Sequence, residues 1–162
     1  MAKAVKLHKI NSRDIEILLS HYFDFRKNII VPNVSFGLFV HECDMLVVTP
    51  SRYAYEIEIK TSKSDMKADL KKRHGHHSDK IKKFYFAIPC SLLSSINLIP
   101  DRAGILSVNK RGRLEQIRPA QNQECRKLSD YEYYHLLHLG CMRMWTLKDT
   151  IRSLLTQIKR EG

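Results

Sequence analysis

The sequence predicts a single α/β domain in which helices cover a mixed central sheet. Three observations predict it. Helical and strand-like periodicities follow one another in the order helix, strands, helix, strand, hairpin, helices. Within Tyr53 to Lys60, Tyr55, Ile57 and Ile59 alternate with Glu56, Glu58 and Lys60. The length, 162 residues with 43% hydrophobic and 28% charged side chains, suits one core of ordinary globular composition across residues 1–162.

The first helix starts at Asn11, whose side chain can cap the backbone, with Asp14 three residues on as in a capping box. Ile15, Leu18, Leu19 and Tyr22 then recur at helical spacing, and the pattern ends near Lys27 and Asn28. Ile29 to Val31, ending at Pro32, Leu38 to Val40, and Met45 to Val48 read as strands, with Thr49, Pro50 and Ser51 as a turn. In the next strand Tyr55, Ile57 and Ile59 point one way and Glu56, Glu58 and Lys60 the other. Ser62 with Asp65 caps a second, lysine-rich helix that frays at Gly75. Phe84 to Ile88 forms a strand closed by Pro89. Ile105 to Val108 and Leu114 to Ile117 flank a hairpin turn at Asn109 to Gly112. Two C-terminal helices are expected within 129–160. One ends at Gly140, and the other starts at Thr146, carrying Leu147, Ile151, Leu154, Leu155 and Ile158 on one face for a core or a homodimer.

Charge narrows the function classes. Lysine plus arginine number 28 against 17 acids, a formal net charge of +11. Such a surplus favours a polyanionic partner, because each neutralised phosphate releases condensed counterions. The four cysteines (Cys43, Cys90, Cys125 and Cys141) form no CxxC pair and no zinc-finger spacing. Met1 to Lys9 is basic without an apolar run behind it, and no stretch approaches the roughly 20 apolar residues that span a bilayer. A cytoplasmic protein with free thiols and no membrane anchor is expected.

The chemistry concentrates on Asp44, Glu58 and Lys60. Glu58 and Lys60 share a strand face because the side-chain period is two, and pairing with the preceding strand brings Asp44 beside them. Two carboxylates and an ammonium at one sheet edge suit phosphodiester hydrolysis. Hard oxygens hold Mg²⁺ or Mn²⁺, and a lysine orients water or stabilises charge on the phosphate. Alone, a Glu-x-Lys pair more often marks an exposed strand face with lateral ion pairs.

The run Cys43 to Val48 followed by Glu58-Ile59-Lys60-Thr61-Ser62 resembles the PD-(D/E)XK nuclease superfamily. Lys63 to Asp69, the aromatic strand Phe84 to Pro89, and Ala103 to Val108 are similar to the MmcB-like DNA-repair proteins. The resemblance covers about residues 10–120. It implies a restriction-endonuclease-like mixed sheet flanked by helices, Mg²⁺, and DNA cleavage. Asp44 and Glu58 would be metal ligands and Lys60 the catalytic lysine. Glu16 would be the first-helix glutamate that many members add, with Asp14 as its competitor. A non-catalytic DNA-binding module on the same fold and an RNA-processing nuclease are the alternative readings.

The densest basic cluster, Lys71, Lys72, Arg73, Lys80, Lys82 and Lys83, reads as a phosphate track. His74, His76 and His77 read as part of a basic phosphate-contacting loop rather than a metal site, since no ligand spacing completes a set. Asp65 and Asp69 either reach the site or pair with neighbouring lysines. Tyr131, Tyr133 and Tyr134 are read as core residues on a helix. His41 and Glu42 are read as neighbours of Asp44 rather than catalysts.

Overall fold

The computed structural model describes residues 10–35, 41–69, 76 and 78–161. Helix α1 spans Ser12–Tyr22. Its start is the expected capping box: Asp14 N–H donates to Asn11 Oδ1, and Asn11 N–H donates to Asp14 Oδ2, each at 3.0 Å. Strands β1 (Ile29–Val34), β2 (Cys43–Val48) and β3 (Ala54–Ile59) follow, then α2 (Lys63–Asp69), β4 (Ile81–Pro89), a 3-10 stretch (Cys90–Leu98), β5 (Gly104–Val108), β6 (Leu114–Arg118) and α3 (Asp130–Glu161).

The six strands form one sheet in the order β1-β2-β3-β4-β5-β6. Pairs β3–β4 and β4–β5 are parallel and the others antiparallel, so this is a mixed α/β fold. Parallel neighbours need crossovers; α2 lies between β3 and β4, and the 3-10 stretch between β4 and β5. The 3-10 stretch carries no strong period in the sequence and was not among the expected elements. Strand β1 runs through Pro32 instead of stopping there. At a sheet edge the proline's missing N–H breaks no ladder bond. The expected strand Leu38 to Val40 lies outside the described residues.

Alternation along the strands sorts the core. One face carries Met45, Val47, Ile57, Ile59, Tyr85, Ala87, Leu106 and Val108 against Ile15 and Leu19 of α1. On the other face, Leu46, Val48, Ala54 and Ile81 pack with Leu128 and Leu136, and further along Phe84, Phe86, Ile88 and Ile105 pack with Met66 of α2. Fully burying each such aliphatic side chain contributes about 1.5–3 kcal/mol. Between those two clusters lies Glu56, wholly buried.

Only glycine fits at the start of β5. A Cβ on Gly104 would stand 2.4 Å from the Tyr85 ring and 2.8 Å from Ala120 N. Past β5 the hairpin turn forms as expected, with Gly112 at φ 72° and Asn109 Oδ1 accepting from Arg111 N–H and Arg113 N–H.

The C-terminal region differs from expectation. A single helix runs from Asp130 through Gly140 to Glu161. Ser129 and Glu132 cap its start reciprocally. Gly140 does not end it, since a helical glycine costs only about 1 kcal/mol and its missing side chain faces Val31 of β1. Thr146 caps nothing; its hydroxyl donates to Met142 O, one turn back. Leu147, Ile151, Leu154, Leu155 and Ile158 are exposed, so the core alternative for that face is excluded. Tyr133 packs on the sheet, whereas Tyr131 and Tyr134 are exposed against expectation, one residue to either side of the buried stripe. Among the described residues no helix is long and apolar enough to cross a membrane.

Candidate active site

Strands β2 and β3 pair from Val48↔Ala54 to Met45↔Ile57. Beyond that point the ladder ends, and the Ile59 N–H donates instead to Asp44 Oδ2 at 2.7 Å. The two strands thereby place Asp44 next to Glu58 at the mouth of an open cleft of about 290 Å³, lined also by Asn33, Ser35, Glu42 and Arg143. On its other side Asp44 borders a second hollow with Lys60, Asp65 and Asp69. From α1, half-buried Glu16 comes within electrostatic reach: burial and the charge of Asp44 raise its carboxyl above the ordinary range. Asp14 is held in its capping box, whereas Glu16 lies within electrostatic reach of Asp44.

Lys60 is nearly buried. Its Nζ lies 2.5 Å from Glu58 Oε2 and 3.0 Å from Asp69 Oδ1. Burial alone would lower its pKa, but the two carboxylates more than offset that and raise it. The group is held as an ammonium, suited to stabilising negative charge and unsuited to acting as a base.

Asp69 continues the network. Its Oδ2 lies 2.7 Å from His76 Nε2, and His76 Nδ1 lies 2.6 Å from Glu56 Oε1. Glu56 Oε2 is 2.7 Å from His41 Nε2. Burial would depress the pKa of His76, yet hydrogen bonds with Asp69 and Glu56 push it up to about 9. Burial likewise works against ionised Glu56, and the two imidazoles overcome it, holding the carboxyl below its ordinary range. His76 stacks on Phe84 at 4.4 Å between centroids.

Against this geometry, similarity to known proteins is sparse. No protein-family model and no curated protein matches the chain. One solved structure, a protein of unknown function from Silicibacter pomeroyi, aligns with a TM-score of 0.64. It covers 91% of this chain and 94% of that one at 18% identity. That likeness establishes the shared fold.

Asp44, Glu58, Lys60 and Glu16 thus converge. The basic cluster does not. Lys71, Lys72, Arg73, His74 and His77 lie outside the described residues. Lys80 is buried and its Nζ sits 3.4 Å from Glu132 Oε1, so it faces the body of the protein and not a phosphate. Lys82 and Lys83 are adjacent on β4 at a register shift against β3; Lys82 lies over the Tyr53 ring and Lys83 over the Tyr55 ring. Lys83 pairs with Tyr55, five residues before Lys60, which puts these lysines about 16 Å from it.

Sequence reasoning missed Arg143, Glu56 and the roles of His41 and His76, and left Asp69 undecided. Arg143 reaches the cleft from α3 and donates to Asn33 O at 2.7 Å. Asp69 and Glu56 were legible as facing the same way as Lys60 or standing one turn past Asp65. His76 was not, because it sits on a connection at φ 59° with no period to aim it. It is buried, which overturns its reading as a phosphate contact.

Proposed function

We propose that the chain is a Mg²⁺- or Mn²⁺-dependent DNA endonuclease or DNA-repair nuclease of the PD-(D/E)XK kind, with a restriction-endonuclease-like core. The observation that carries this reading is the convergence of Asp44 and Glu58 on one cleft, with Lys60 two residues beyond Glu58. The donor set fits a hard cation. Asp44, Glu58 and Glu16 offer carboxylate oxygens, and burial together with the charge of Asp44 holds the Glu16 carboxyl above its ordinary range despite nearby Arg13. A divalent ion there would polarise a scissile phosphate and acidify a water. Asp44 and Glu58 would hold it, with Glu16 beside them. Lys60, held as an ammonium by Glu58 and Asp69, would stabilise charge developing on the phosphate. Arg143 at the cleft wall is placed to draw in a phosphate. The +11 net charge supports a nucleic-acid partner.

The reading also assigns the exposed stripe of α3. Met144, Leu147, Ile151, Leu154 and Ile158 recur at alternate steps of three and four, the spacing of a coiled-coil seam, and all are exposed. Trp145 and Leu155 lie alongside and are exposed as well. A second copy of this chain is its occupant.

The test is cleavage of plasmid and branched DNA with and without Mg²⁺ or Mn²⁺. The parent cuts only with metal. Asp44→Asn loses cleavage and binds DNA at least as well, since a charge facing phosphate is gone. Lys60→Ala loses cleavage without binding more tightly. A parent that never cuts, or an Asp44→Asn protein that cuts as fast, replaces this reading with a non-catalytic DNA-binding module.

A further inference from the structure

We propose that His41, Glu56 and His76 form a second metal site, separate from the Asp44–Glu58 cleft, that takes a first-row transition dication of the Zn²⁺ class. The ligand atoms of these three residues already lie within 4.8 Å of one another. His41 Nε2 and His76 Nδ1 stand 2.7 and 2.6 Å from the two oxygens of Glu56. A tetrahedral ion with bonds of about 2.0–2.1 Å spaces its ligand atoms about 3.3 Å apart. Admitting one therefore asks Glu56 to withdraw by roughly 0.6–0.7 Å from each ring, within the reach of a side-chain adjustment.

The surroundings are those of a ligand set. His76 turns its second nitrogen, Nε2, to Asp69 Oδ2 at 2.7 Å, the carboxylate–histidine arrangement that orients a metal-bound imidazole. Lys60 holds Asp69 in turn at 3.0 Å. Phe84 lies nearly parallel to the imidazole, 18° between planes, and fixes its tilt. Glu56 and His76 are closed off from solvent, while His41 is 11% exposed, so solvent reaches the group at His41. Among the described residues the hydrogen-bond partners of Glu56 are these two histidines, so its two oxygens and the two ring nitrogens already face one another as a ligand group would.

Donor type separates this site from the cleft. Two imidazoles and one carboxylate favour Zn²⁺ and its neighbours, whereas Mg²⁺ seeks oxygen. The other group within reach, Glu58, Asp69 and His76, already faces the Lys60 ammonium at 2.5 and 3.0 Å and would set a dication against it. An ion on His41, Glu56 and His76 leaves those pairs intact. It would tie His76 to β3, two contacts from Lys60 through Asp69.

The full chain, stripped with chelator and reloaded with Zn²⁺ or Co²⁺, tests this by elemental analysis after gel filtration and by the visible absorption of bound Co²⁺. The parent and Asp44→Asn retain one ion, and excess Mg²⁺ does not displace it. His41→Ala, at the exposed side of the site and checked for folding by circular dichroism, binds at least tenfold more weakly, and His76→Gln does the same. A parent that retains no Zn²⁺ overturns the proposal, as does an ion lost in Asp44→Asn but kept in His41→Ala. Neither result depends on whether the protein cuts DNA.

Discussion

His76→Gln, studied in EDTA, separates the ionic part of the buried network from its packing. Glutamine keeps a polar side chain and loses the charge. In the folded protein burial lowers the His76 pKa, and hydrogen bonds to Asp69 and Glu56 more than reverse this, from 6.5 to about 9. At about 1.36 kcal/mol per unit, this shift of 9 − 6.5 = 2.5 corresponds to about 3 kcal/mol. A raised pKa stabilises the fold below the unfolded value. That stability is fully present below about pH 6.5 and is lost as pH rises through about 9. The side chain is 3% exposed, so solvent screening removes little. Urea unfolding of parent and variant across this range is the assay. The parent's advantage should be about 3 kcal/mol larger near pH 6 than near pH 9.5. A difference between the two proteins that stays flat with pH refutes the claim that a charged His76 bridges the two carboxylates.

Further outcomes follow from the cleft, the basic residues and the terminal helix. Mg²⁺ or Mn²⁺ at ten times its Kd should stabilise the chain by about 1.4 kcal/mol, a rise of a few degrees in Tm by calorimetry, and Asp44→Asn should abolish the rise. Salt titration of duplex binding should give a log–log slope that flattens by roughly 0.9 for each phosphate-contacting lysine removed. Lys82→Ala and Lys83→Ala should each flatten it if DNA reaches that end of the sheet, whereas Lys80→Ala, paired with Glu132, should lower Tm and leave the slope unchanged. Leu147→Glu with Ile151→Glu should convert a dimer to a monomer by light scattering; an unchanged mass removes the second copy from that face.

The fold was largely legible because its strands alternate cleanly. Tyr55, Ile57 and Ile59 face α1, and Glu56, Glu58 and Lys60 face the opposite side, as period two demands. Helix starts at Asn11, Ser62 and Ser129 were readable because capping is a local hydrogen bond within three residues. Helix ends were less so. Gly140 and Thr146 carry local stop and start signals, and packing against Val31 together with the unbroken i−4 bonding of α3 overrides both.

The sequence by itself determined the sheet-and-helix class, the face each β3 residue takes, and the proximity of Asp44 to Glu58, all consequences of spacing along one or two paired segments. Tertiary structure alone decided that Arg143 reaches the cleft from α3 and that Lys80 is buried against Glu132. It likewise decided that His76 sits between Glu56 and Asp69. Those contacts join residues whose separation along the chain carries no period, so nothing short of the packed fold brings their charges together. Once they are together, the low dielectric of the interior sets their protonation.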